Sequence, residues 1–173
     1  DPYRCDMDTS KEYHRNLRDL SLHYEDVVDQ MFIQLDGLSF VERAFQELRT
    51  KCHKAAYWSN SNAGYDRKGD TLRFGGYFCS CDERWGHEEW RLAERMQDIF
   101  TAVAHYETNT FGRFPAGFSE LLGYSDVSTS QFQFPTCQKL VHLRMFKNGH
   151  VDLKFKTAAL AKEFAETYLD SLC

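Results

Sequence analysis

The chain has 173 residues, 42% of them hydrophobic and 15% aromatic, with a formal charge of −5. This length predicts a single domain over residues 1–173, and the apolar content is enough to offset chain entropy, which excludes a disordered chain. No apolar run approaches the roughly 20 residues that cross a bilayer, so no membrane partner is expected, and the net acidity excludes attraction to nucleic acid or anionic lipid over the whole surface.

From Thr9 or Ser10 onward, Tyr13, Leu17, Leu20, Tyr24, Val27, Val28, Met31 and Leu35 recur at steps of three and four, which predicts a long first helix stopping at Gly37. Ser39 and Glu42 have the spacing of a capping box. They open a second helix carrying Phe40, Ala44, Phe45, Leu48, Cys52 and Ala55, and a short turn makes the two helices an antiparallel hairpin. The polar run Ser59-Asn60-Ser61-Asn62-Ala63-Gly64 reads as a loop. Thr71–Phe74 and Tyr77–Cys79 are short strand candidates around Gly75-Gly76. A third helix is expected from the stripe Trp90, Ala93, Met96, Ile99 or Phe100, Val103 and Tyr106, ending near Asn109. Phe118 to Leu122 adds a helical turn or two closed by Gly123, and residues 124–137 read as loop.

The C-terminal hairpin has a register that can be deduced from which residues must share a face. A three-residue Lys147-Asn148-Gly149 loop, with Gly149 left-handed, pairs Met145 with Val151, Leu143 with Leu153 and Val141 with Phe155. The opposite face then carries Arg144 across from Asp152 and His142 across from Lys154. Thr157 caps a final helix presenting Leu160, Phe164, Ala165, Tyr168 and Leu172 to the apolar face. The expected class is α+β, with a helical hairpin and a third long helix packed on a small antiparallel sheet.

Charge is uneven along the chain. Residues 1–50 hold eleven acids and six bases, whereas Lys139 to Lys162 holds six bases and one acid, Asp152. The C-terminal unit is therefore the candidate anion-facing surface, with His142, Arg144, Phe146, Lys147, Lys154 and Lys156 as its contact residues for a protein partner or nucleic acid. The six cysteines, Cys5, Cys52, Cys79, Cys81, Cys137 and Cys173, are an even number. A domain of this size needs no disulfide staples, so reduced thiols in a cytoplasmic setting are expected. The chain starts at Asp1 without a signal-like segment, which reads as a trimmed end.

Two sets of residues suggest alternative chemistry. Asp152-Leu153-Lys154 matches a D-x-K fragment in which a carboxylate holds Mg²⁺ and a lysine assists water, with Asp70 or Asp126 as the missing acid. Cys52, His53, Cys79, Cys81 and His87 offer soft ligands for zinc, without a C-x₂-C spacing. No nucleophile elbow, zincin pair or phosphate loop is present, so the leading expectation is a binding protein without enzymatic activity or cofactor.

The segment Arg144-Met145-Phe146-Lys147-Asn148-Gly149-His150-Val151-Asp152-Leu153-Lys154-Phe155, followed by an apolar-periodic helix, resembles the C-terminal signature of an uncharacterised domain family of bacteria, phages and plasmids. That family ends in a strand, an F-K-N-G-N turn, an H-x-x-F strand and a short helix. Here the second Asn of the turn is His150, and Asp152 stands at the family's His position. Glu42-Arg43-Ala44-Phe45 resembles another segment of the family. Its members often sit near DNA-modification genes on mobile elements, so the resemblance implies action on a host nucleic-acid or defence system.

Overall fold

A computed structural model describes residues 24–34, 37–57, 64–123 and 126–170. The chain divides into two units, residues 1–44 and 45–173. In the first, helix α1 spans Tyr24–Gln34, and the earlier part of the expected first helix lies outside the described residues. Helix α2 runs Phe40–Ala56. The expected box opens it, with the Ser39 N–H donating to Glu42 Oε2 at 2.8 Å and the Glu42 N–H donating to Ser39 Oγ at 3.2 Å. These bonds satisfy two donors that a helix start leaves open, and they hold the Glu42 carboxyl below its ordinary range.

In the second unit, α2 buries Leu48, Cys52, Ala55 and Ala56, the positions its 3.6-residue period selects. A five-stranded antiparallel sheet follows, in the order β1 (Tyr65–Lys68), β2 (Thr71–Phe74), β7 (Val151–Phe155), β6 (Leu140–Met145) and β5 (Gln131–Gln133). Strands β3 (Cys79–Arg84) and β4 (His87–Leu92) form a separate hairpin. Helix α3 spans Glu94–Thr108. Helix α4 (Ala158–Phe164) starts at Thr157, whose Oγ1 accepts from the Leu160 N–H, and continues as a wider π-helical turn over Ala165–Leu169. The class is therefore α+β.

The hairpin register agrees with expectation at Met145–Val151, Leu143–Leu153, Arg144–Asp152 and His142–Lys154. Its loop closes through the Phe146 N–H to His150 O and the Gly149 N–H to Phe146 O, with Gly149 at φ +82°. The expected Val141–Phe155 pair does not form. A bulge between Leu140 and His142 brings Leu140 opposite Phe155, so that Leu140 is buried and Val141 only half-buried.

Three further expectations are corrected. Trp90 lies in β4, and α3 begins only at Glu94, because the spacing from Trp90 to Ala93 mimics a helical step. The second strand candidate begins at Cys79, with Tyr77 in a left-handed turn at φ +65°. Residues 131–133, read as loop, form edge strand β5. Between α3 and β5, one helical turn does close, through the Leu122 N–H to Phe118 O.

The core lies on one face of the sheet. Leu72, Phe74, Leu143, Met145, Val151, Leu153 and Phe155 are buried with Met96, Ile99, Phe100 and Val103 of α3 and with Phe164 and Tyr168. Phe155 meets Phe164 with ring centroids 5.5 Å apart, and Phe100 stacks on Phe118 at 4.2 Å. Each such side chain contributes roughly 1.5–3 kcal/mol through removal from water.

Candidate functional site

Because side chains alternate across a strand, a sheet that packs its helices on one face displays the other residues together. Strand register makes two cross-strand rows of them. The first is Asp66, Arg73, Asp152, Arg144 and Gln131; the second is Lys68, Thr71, Lys154, His142 and Gln133. Every one of these residues is exposed or half-buried, in contrast to their buried sequence neighbours on β2, β6 and β7. Three of the expected contact residues, His142, Arg144 and Lys154, thus share one open polar face.

The geometry of the first row differs from expectation. Asp152 is engaged by Arg73 rather than by Arg144, with Nε to Oδ1 and Nη2 to Oδ2 both 2.7 Å. This two-bond pairing explains why the Asp152 side chain is only 14% exposed, and it holds the Arg73 guanidinium above its ordinary range. Arg144 turns to Phe146, its guanidinium 4.9 Å from the ring centroid, and Arg73 approaches the same ring at 5.5 Å. Arg144 makes no salt bridge to a described side chain. In the second row, Lys154 lies 3.7 Å from Asp70. His142 Nε2 is shielded from solvent without a hydrogen-bond partner among the described residues. Burial, then the Arg144 and Lys154 charges, lower the His142 pKa from its ordinary value.

The remaining expected contact residues lie at the margins. Phe146 is half-buried where β6 enters its turn, and Lys156 is exposed just beyond β7. Lys147 leaves the face altogether and pairs with Glu88 of β4 at 2.5 Å. That contact lowers the Glu88 pKa and raises that of Lys147. Arg73, Asp66 and Lys68 were missed because they come from β2 and from β1 paired to it, and the pairing of β2 with β7 joins residues 79 apart in the chain.

Neither alternative chemistry is assembled. Asp152 spends both oxygens on Arg73, Asp126 pairs with Arg91 at 2.8 Å, and Asp70 faces Lys154. No group of three His, Cys, Asp or Glu side chains suited to a metal ion occurs among the described residues. The five soft-ligand candidates serve other contacts or stand apart. Cys52 is buried on α2, and His53 Nδ1 lies 2.6 Å from Leu169 O. Cys79 Sγ donates to His150 O at 3.2 Å, Cys81 is half-buried, and His87 is exposed near the far end of the β3–β4 hairpin. Cys52, Cys79, Cys81 and Cys137 are free thiols. No described helix is long and apolar enough to cross a membrane.

The β3–β4 hairpin is the other conspicuous surface. Its turn residues Trp85 and Gly86 both have positive φ, +53° and +78°, the pattern of a tight primed turn. Trp85 is 98% exposed. Behind it, Glu83 opposes Glu88 and Asp82 opposes Glu89. Comparison with family models, curated proteins and solved structures finds no match.

Proposed function

We propose that this chain is a binding module without enzymatic activity that docks a protein partner on the open face of its five-stranded sheet. The observation that carries this reading is the pair of cross-strand rows, in which Arg144 makes no salt bridge to a described side chain while Arg73 is locked to Asp152. Asp66 and Asp152 are interleaved with the bases of the first row, and Asp70 lies beside Lys154 of the second, a mixed-sign pattern that suits a protein surface of complementary pattern better than a uniformly anionic phosphate backbone. No Phe, Tyr or Trp lies in the two rows, and Phe146 at the margin is the one such ring beside them among the described residues, fewer than the series of stacking rings a single-strand binder presents. The resemblance of the C-terminal hairpin and helix supports a setting on a phage, plasmid or other mobile element, with the partner a protein of a host nucleic-acid or defence system.

Amide chemical-shift mapping with acidic peptides, duplex DNA and single-stranded RNA tests this. Acidic peptides are expected to move the amides of His142, Arg144 and Lys154, and Arg144→Glu to abolish the effect. Tighter binding of nucleic acid at the same face replaces the protein partner by nucleic acid. Mg²⁺-dependent cleavage of nucleic acid that is lost in Asp152→Ala overturns the binding reading in favour of a nuclease.

A further inference from the structure

The tip of the β3–β4 hairpin combines two features that work against the fold when it stands alone. Position 85 needs a left-handed backbone, which Asn, Asp or Gly adopts readily, yet it carries Trp with 98% of its surface in water. Beyond the Arg84–His87 pair next to the turn, the cross-strand pairs Glu83–Glu88 and Asp82–Glu89 place like charges directly opposite each other. Lys147 offsets one pair through Glu88, but Asp82, Glu83 and Glu89 have no salt bridge to a described side chain. An exposed indole at the tip of a hairpin that carries these carboxylates on its two faces is complementary to a surface that offers a guanidinium for its ring and cations for its acids.

The same chain displays such a surface. On the open sheet face Arg144 is exposed and makes no salt bridge to a described side chain, Lys154 and Lys68 lie in the adjoining row, loosely paired with Asp70 and Asp66 at 3.7 and 3.6 Å, and Lys156 is exposed just beyond β7. The Phe146 ring, with the Arg73 and Arg144 guanidinium groups 5.5 and 4.9 Å from its centroid, supplies an apolar neighbour for an incoming aromatic. We infer that the partner seated on the open face includes a second copy of this chain, whose Trp85 tip docks against Arg144 and Phe146. This rests on the function proposed above and names its occupant. The contact is heterologous, tip to face. It closes a dimer if each copy engages the other, and otherwise it extends a chain of copies.

Sedimentation velocity across a wide concentration range tests the inference. The wild type is expected to self-associate with an affinity that falls as salt rises from 0.1 M to 1 M, where the screening length shortens from about 10 Å to about 3 Å. Trp85→Asn retains a residue suited to the left-handed turn, so it preserves the hairpin while removing the indole. It is expected to weaken association at least about 30-fold, the loss typical of a Trp at the centre of an interface. Arg144→Glu and the double variant Glu83→Lys, Glu89→Lys are each expected to be monomeric, and mixing the two restores association by pairing the reversed charges.

A wild type that stays monomeric throughout the range overturns the inference, as does association that Trp85→Asn leaves intact. Acidic-peptide mapping of the face separates the two readings. A monomeric protein whose sheet face still binds acidic peptides sinks the self-docking and leaves the binding function standing; loss of both sinks both.

Discussion

Gly149 tests how closely the loop before β3 approaches the C-terminal hairpin. Its φ of +82° lies where a side chain is disfavoured, and a Cβ built there falls 2.8 Å from the Tyr77 backbone nitrogen. The same contact zone carries the hydrogen bonds from the Phe78 and Cys79 N–H groups to Gly149 O, at 2.9 and 3.3 Å. Replacing Gly149 by Ala therefore costs about 1–2 kcal/mol for the left-handed backbone. The clash is with main chain, which cannot rotate aside, and forcing the segments apart adds about 1–3 kcal/mol, an overpacking cost. Gly69, in the β1–β2 turn at φ +63° with nothing within 4 Å of its built Cβ, isolates the first contribution. Urea unfolding followed by tryptophan fluorescence should then place Gly149→Ala about 2–5 kcal/mol below wild type, and Gly69→Ala only about 1–2 below, with similar m-values. Equal losses in the two variants would refute the close approach.

Three other outcomes follow from the same contacts. His142 and His105 both have pKa values lowered from 6.5 by burial and neighbouring cations, so the unfolded chain takes up protons first. Stability is thus retained above about pH 6.5 and lost as pH falls below it; the urea midpoint should drop from about pH 8 to about pH 5, less steeply in His142→Gln, and a flat or rising midpoint contradicts this. Burial pushes the Cys137 thiol up to about 11 and raises Cys52 further, so peptide-resolved alkylation at neutral pH should label both only after unfolding; fast labelling of Cys52 in the native protein would place it outside the core. Ser39→Ala removes the Oγ that accepts from the Glu42 N–H while keeping the backbone N–H that donates to the Glu42 carboxylate, and should cost that helix about 1 kcal/mol, read as faster amide exchange at its first turn than in the wild type.

What the amino-acid pattern disclosed of this fold tracks how local the information is. The β6–β7 hairpin was legible because only one register buries Met145, Leu143, Val151 and Leu153 together, and Gly149 has the conformation its loop requires. The same logic failed at one residue, since Leu140 and Val141 are both apolar and a bulge selects between them. The capping box and the Thr157 cap were legible because each is settled within four residues. Strand β1, Tyr-Asp-Arg-Lys, has no apolar alternation, being an edge strand whose exposure is intermediate only at Tyr65. The β3–β4 hairpin was hidden by its Trp-Gly turn and by strands rich in charge. Half of the candidate site was foreseen from β6 and β7 alone. The other half depends on β2 lying beside β7, and with it the exchange of partners that gives Asp152 to Arg73 and frees Arg144; no local pattern encodes that neighbour.

The strand order has a consequence for biogenesis. The middle strand of the sheet, β7, is the last of the seven to leave the ribosome, while β1 and β2 emerge far earlier. Until it arrives, Leu72 and Phe74 have no strand to complete their side of the sheet, and β2 presents an unpaired edge of the kind that seeds aggregation. Nascent chains halted before Val151 should accordingly be insoluble or chaperone-bound, and a soluble product should form only once β7 has left the ribosome.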